Sequence, residues 1–192
     1  MTPIRRKLKP IPTPTEAVAG GLLAATNAET LLRAADAASQ AQCFGAADGL
    51  AVLAIEEAAK ARTLFARLFA GRIGARLAIT DVELRSLLYG PRAHVFRQFM
   101  ASVHVVLRHA ARLHERGQDF DHPLEPEDIA ELNHLISSSR RKERGFYVDF
   151  TESGWATPAS VSESDWLASK SIAAQFVAET SRQAVDARML LP

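Results

Sequence analysis

The sequence predicts an all-α protein, a helical bundle of about five to six helices with one short extended or hairpin segment near residues 146–150. Three observations carry this. Apolar residues recur at helical spacing over long stretches, Gly and Pro fall at the joints between those stretches, and only "FYVDF", Phe146 to Phe150, has the aromatic and β-branched character of a strand. A lone strand has no sheet to join, so it predicts an extended piece or a hairpin and no sheet domain. With 192 residues, 47% of them hydrophobic, the chain can bury a sizeable core in one domain.

The opening "RRKLKPIPTPT" mixes Arg and Lys with Pro10, Pro12 and Pro14, which predicts an extended basic, Pro-rich tail over 1–14, either solvated or an arm that touches RNA. A single helical domain over 15–192 follows. An Ala-rich helix is expected from Thr15 to about Phe44, weakened by Gly20 and Gly21 and stopped at Gly45. A second covers Ala46 to Phe69, and "GRIGARLAIT" with Gly71 and Gly74 reads as the loop after it. Thr80 caps a short helix through Leu88; Pro91 suits the first turn of a histidine-rich helix that runs to about Arg116 and ends at Gly117. Pro126 with Glu127 and Asp128 starts another, continuing to Arg144 and closed by Gly145. "SESD", Ser162 to Asp165, resembles a capping box before a last amphipathic helix containing Trp166, Ile172, Phe176, Val177 and Val185.

A formal charge of +1 gives no global polyanion-binding signature, so contact with nucleic acid must come from a local cluster. Cys43 is the single cysteine, which excludes an intramolecular disulfide, and the opening residues do not resemble a secretion signal. A cytoplasmic location fits. No apolar run reaches the ~20 residues that span a bilayer, so no membrane is expected.

The histidine-rich helix holds four of the six histidines. At 100° per residue, Phe96, Phe99, Met100, Val103, Val106, Leu107 and Ala110 share one broad side, the predicted core face. His94, Arg97, His104 and Arg108 fall opposite as a polar stripe, with Arg97 and His104 on one meridian to within roughly 20°. None of the histidines is three or four from another and HExxH is absent, which argues against a zinc site; no metal or cofactor is expected. The stripe could grip a phosphate through Arg and move a proton through His, which is enough for metal-independent RNA cleavage. A solvated helix face is the alternative.

In "LAVLAIEEAAKARTLFARL", Leu50, Leu53, Glu57, Lys60, Leu64 and Leu68 recur at helical spacing, so Glu57 and Lys60 project from a leucine stripe. Each buried charge needs a partner: they can meet each other, reach Arg or His on a facing helix, or share Lys60 with Glu56. A buried ion pair that fixes helix register and a functional site are both open.

Three pieces together resemble the AbiV group of abortive-infection proteins within the HEPN superfamily. "AADGLAVLAIEEAAKA" is similar to its Glu-Glu-x-x-Lys element, matched by Glu56, Glu57 and Lys60; "AHVFRQF" to its His-x-x-basic element, matched by His94 and Arg97, with Arg in place of Lys. "RRKERGFYVDFTESGWATP" is similar to its basic, Gly, aromatic, Tyr-Val-Asp element, matched by Lys142, Arg144, Gly145, Tyr147, Val148, Asp149 and Pro158. The likeness spans roughly Ala25 to Pro158. It implies a HEPN-like helical bundle, a homodimer, and a role in phage defence.

The resemblance also implies how such a protein acts. HEPN ribonucleases carry Arg, four to six residues, then His, without metal, in sites where two protomers meet. Arg97 with His104 and Arg108 with His114 both satisfy that spacing. The leading expectation is a toxin-like metal-independent endoribonuclease acting on RNA: Arg97 holds the phosphate, His104 is the general acid/base and His94 orients the substrate. Glu56, Glu57, Lys60, Arg108, His114, Lys142, Arg144, Tyr147 and Asp149 would support the site or contact substrate. The alternatives are a catalytically inert HEPN module that binds a phage or host protein, and an antitoxin-like scaffold. His109 and His114 read as structural or surface residues, and Trp155 as a packing residue.

Overall fold

The computed structural model describes residues 10–73, 80–89, 92–119, 121–151 and 154–189. Among them are seven α-helices and one small hairpin: α1 (Pro14–Gln40), α2 (Phe44–Ile73), α3 (Asp81–Tyr89), α4 (Ala93–Glu115), α5 (Pro126–Ile136), α6 (Ser138–Phe146), β1 (Asp149–Thr151), β2 (Gly154–Ala156) and α7 (Glu163–Arg188). The fold is all-α, and α2 is its axis, touching α1, α4, α6 and α7. Alanines make that possible. Ala28, Ala35, Ala47, Ala51, Ala54, Ala58, Ala59 and Ala173 line the contact faces, so helices approach closely around Ile55, Val105, Trp166 and Phe176.

The local signals place most helix starts. Thr13 with Glu16, Thr80 with Glu83 and Ser162 with Asp165 each close a reciprocal cap over the first turn. Gly117, at φ +65°, ends α4 as expected, its N–H donating to His114 O at 3.0 Å. The hairpin pairs Asp149 with Ala156, Phe150 with Trp155 and Thr151 with Gly154, so "FYVDF" is extended only in its second half. Residues 1–9 of the predicted tail, the 74–79 part of the predicted loop and Pro91 lie outside the described residues.

Five expectations need correction. The first helix stops at Gln40, where Gln42 takes φ +58°, so Gly45 lies inside α2. The second runs to Ile73, which puts Gly71 within the helix and not in the loop. The helix predicted from Pro126 to Arg144 is two: it breaks at Ser137, where Ser137 Oγ and Ser138 Oγ donate to His134 O and Leu135 O at 2.9 and 2.6 Å and compete with the backbone ladder. Gly145 does not close α6. It sits inside the last turn, where a Cβ would lie 2.5 Å from Gly45 O and 3.0 Å from Gly49 N, so its role is to let α6 lie directly on α2.

The fifth correction concerns α4. Its buried line is Gln98, Ala101, Val105, His109 and Leu113. Of the predicted core face, Phe96 and Met100 pack against Leu84 and Leu87, but Phe99, Val106 and Leu107 are exposed, Phe99 at 59% and Val106 at 47%. The Arg97, His104, Arg108 stripe points inward instead. Hydrophobicity decides which face goes inside only when the polar face has no partners. Here Glu57, Glu131 and Glu179 wait on the neighbouring helices.

Candidate functional site

Two polar clusters are threaded through the bundle. In the first, Glu56 and Glu57 sit on consecutive positions of α2 facing α4 and α6. Glu56, 2% exposed, accepts from Lys142 Nζ at 2.8 Å and Gln98 Nε2 at 2.9 Å, and Gln98 Oε1 accepts from Ser139 Oγ at 2.8 Å. Glu57 lies between Lys60, at 2.8 Å, and Arg97, whose Nη1 is 3.1 Å away. Arg97 Nε also reaches Leu87 O at 3.4 Å. Five of the predicted site residues therefore meet across three helices: Glu56, Glu57, Lys60, Arg97 and Lys142. Lys60 and Lys142 each bring a cation to the carboxylates, which offsets the cost of enclosing them.

In the second cluster, Arg62 of α2, Arg108 of α4 and Glu179 of α7 meet, with Arg62 and Arg108 at 2.6 and 3.2 Å from the carboxylate. Arg108 also pairs with Glu131, and Arg112 with Asp128. His109 Nδ1 lies 3.0 Å from Asp128, a buried pair that makes this histidine structural. His104 stands against Arg62. Burial first, and the Arg62 charge second, push its pKa down to about 3, and its buried Nε2 meets no hydrogen-bond partner among the described residues. The imidazole is neutral at physiological pH.

The remaining predicted residues scatter. His94 and His114 are exposed at the two ends of α4. Arg144 pairs with Asp165 at 3.3 Å, Tyr147 is 65% exposed beyond α6, and Asp149 opens β1. No hydrogen bond joins Arg97 to His104: the one turns to Glu57, the other to Arg62.

Glu56, Glu57 and Lys60 of Glu-Glu-x-x-Lys, Arg97 of His-x-x-Arg and Lys142 of the basic segment before Tyr-Val-Asp thus converge in space, with Gly145 fixing the α6 approach that brings Lys142 to Glu56. A family model described as AbiV, of the HEPN group, matches residues 16–178, the span that contains all three. The chain belongs to the AbiV family. Members are abortive-infection proteins of phage defence, and the α-helical bundle is the HEPN fold. Comparisons with curated proteins and with solved structures return no match. Within the AbiV-matched span, sequence reasoning missed Gln98, Ser139 and Arg62, which complete the two clusters, and a third buried network. There Asp48 accepts from Arg141 at 3.1 Å and from Ser169, and His134 Nε2 lies 3.1 Å from Ser169 Oγ. The run of serines and arginines from Ser137 to Arg141 is visible in the sequence, but its partners Asp48 and Ser169 are not. Among the described residues no helix is long and apolar enough to cross a membrane.

Proposed function

We propose that this AbiV-family chain acts in phage defence as a homodimeric HEPN binding module that captures a phage or host protein. The observation that carries this reading is the state of the Arg97 and His104 stripe. A general acid/base needs a pKa near the working pH and access to the reacting atom; His104 has a pKa near 3 and a half-buried ring whose Nε2 is enclosed, and the Arg97 charge is matched by Glu57. The cleft beside the second cluster, about 550 Å³, sets Arg108, Arg112 and Arg116 against Glu125, Glu127, Asp128 and Glu131, a balance that does not attract a polyanion.

The exposed stripe of α4 supports the dimer. Val95, Phe99 and Val106 lie within about 40° of one another around the helix, and all three are exposed. An antiparallel α4 from a second copy would cover the stripe with itself.

A second reading keeps the ribonuclease. A buried nitrogen without a partner is a group that functional sites retain, and His104 Nε2 is one. In that reading assembly or a trigger opens α4 so that Arg97 holds phosphate and His104 takes up a proton. Purified protein incubated with total cellular RNA in EDTA separates the two. No cleavage by the wild-type dimer or by a folded Arg97→Ala, His104→Ala variant is the expected result; cleavage by wild type alone would restore the nuclease.

A further inference from the structure

On the side of α6 away from Glu56 is a second cleft, of about 870 Å³, between α6, the hairpin and the start of α7. Three arginines enter it from one helix. Arg141 is committed at its base, to Asp48, to Asp165 O at 2.9 Å and to Ser169 Oγ at 3.2 Å, and its buried Nε has no partner among the described residues. Arg144 gives one nitrogen to Asp165, and its Nε is buried without a partner among the described residues. Arg140 is exposed and makes no ion pair among the described residues. The opposite wall is apolar: Tyr147 and Val148 are 65% and 63% exposed, and Ala156 of β2 lies beside them.

An exposed arginine, Arg140, beside an exposed aromatic and a β-branched side chain has the composition of a protein-recognition surface, where Arg and Tyr carry most of the binding energy. The charge balance selects the partner. Glu143 and Asp165 line the same cleft and Asp48 stands behind Arg141, so the arginines are nearly compensated. A polyphosphate chain gains affinity from uncompensated positive charge. A single carboxylate needs only one planar fork, which exposed Arg140 can present, with the half-exposed Arg144 guanidinium adding charge beside it.

We propose that this cleft docks a segment of a partner protein bearing an Asp or Glu next to a large apolar side chain, the carboxylate on Arg140 and Arg144 and the apolar group against Tyr147 and Val148. This rests on the binding-module reading and names its surface and the chemistry of its partner.

The test is selection of a random peptide library of about twelve residues, displayed on phage, against the full chain, followed by affinity measurement with the selected peptides made synthetically. Enrichment of an acidic residue beside Leu, Phe or Trp, with binding weakened about tenfold or more by Arg140→Glu and by Tyr147→Ala, is expected. Both positions are exposed, so these variants keep the fold. An Arg116→Glu control at the far cleft should bind as wild type. Selected peptides without acidic residues, peptides indifferent to both variants, or no enrichment at all would overturn the assignment. So would tight, steeply salt-dependent binding of a fluorescent oligouridine lost in Arg140→Glu, which would make the cleft an RNA site. Failure of the binding-module reading itself appears elsewhere, as RNA cleavage in EDTA.

Discussion

The Lys142 ammonium of α6 stands 2.8 Å from the Glu56 carboxylate of α2, and the carboxylate side chain is only 3% exposed. Residues 86 positions apart in sequence thus form one ion pair, with the Gln98 amide as the other donor. Removing one partner of such a pair strands a charge in low dielectric. Lys142→Ala should therefore lower stability by about 3 kcal/mol in urea unfolding, whereas Glu56→Gln added to it should recover part of that loss. Strictly additive effects would mean the pair is not coupled.

His104 sets a pH dependence. Its pKa is about 3 in the folded chain against 6.5 for an ordinary histidine, so as pH falls below about 6.5 the unfolded chain takes up a proton that the folded chain refuses. Stability is unaffected above that range and falls progressively on acidification. Between about pH 7 and about pH 5 the loss from this residue is about 2 kcal/mol. Buried His134, lowered to about 4 by burial and by Arg141, adds in the same direction. Unfolding of a His104→Gln variant should depend less steeply on pH; an unchanged slope would remove His104 as the cause.

Gly145→Ala places a methyl group 2.5 Å from a carbonyl oxygen of α2, where the obstacle is backbone and cannot swing aside. The helices must separate, and the Lys142 contact loosens with them. A loss of about 2 kcal/mol or more, read as a lower Tm, is expected. A Tm within a degree or so of wild type would show that α6 can shift freely.

Phe99→Glu tests the α4 stripe. At 59% exposure the side chain contributes little to the monomer, so the variant should fold with near wild-type Tm at low concentration. Sedimentation should then report a dimer for the wild type and a monomer for the variant. A variant that still dimerises would place the interface on another face.

Buried His134 and the Asp48, Arg141, Ser169 network illustrate what the sequence hides. Asp48 sits in an alanine run and Ser169 in an unremarkable helix, and nothing local says that Arg141 will join them. By contrast Thr80 and Ser162 advertised their helix starts, because a cap is made by residues three apart and needs no distant partner. Glu56, Glu57, Lys60, Arg97 and Lys142 were legible as candidates through family resemblance; that they meet was not.

By itself the sequence determined the helical class, most helix starts, the short hairpin and membership of the AbiV family, since each depends on residue spacing over a few turns or on motif order along the chain. Tertiary structure decided which face of α4 turns inward. Periodicity finds an apolar side and a charged side, but the choice between them rests on free energies of burial, and carboxylates from α2, α5 and α7 make Arg97 and Arg108 inexpensive to enclose. That one rotation leaves His104 neutral inside the bundle and the apolar stripe of Phe99 and Val106 on its surface.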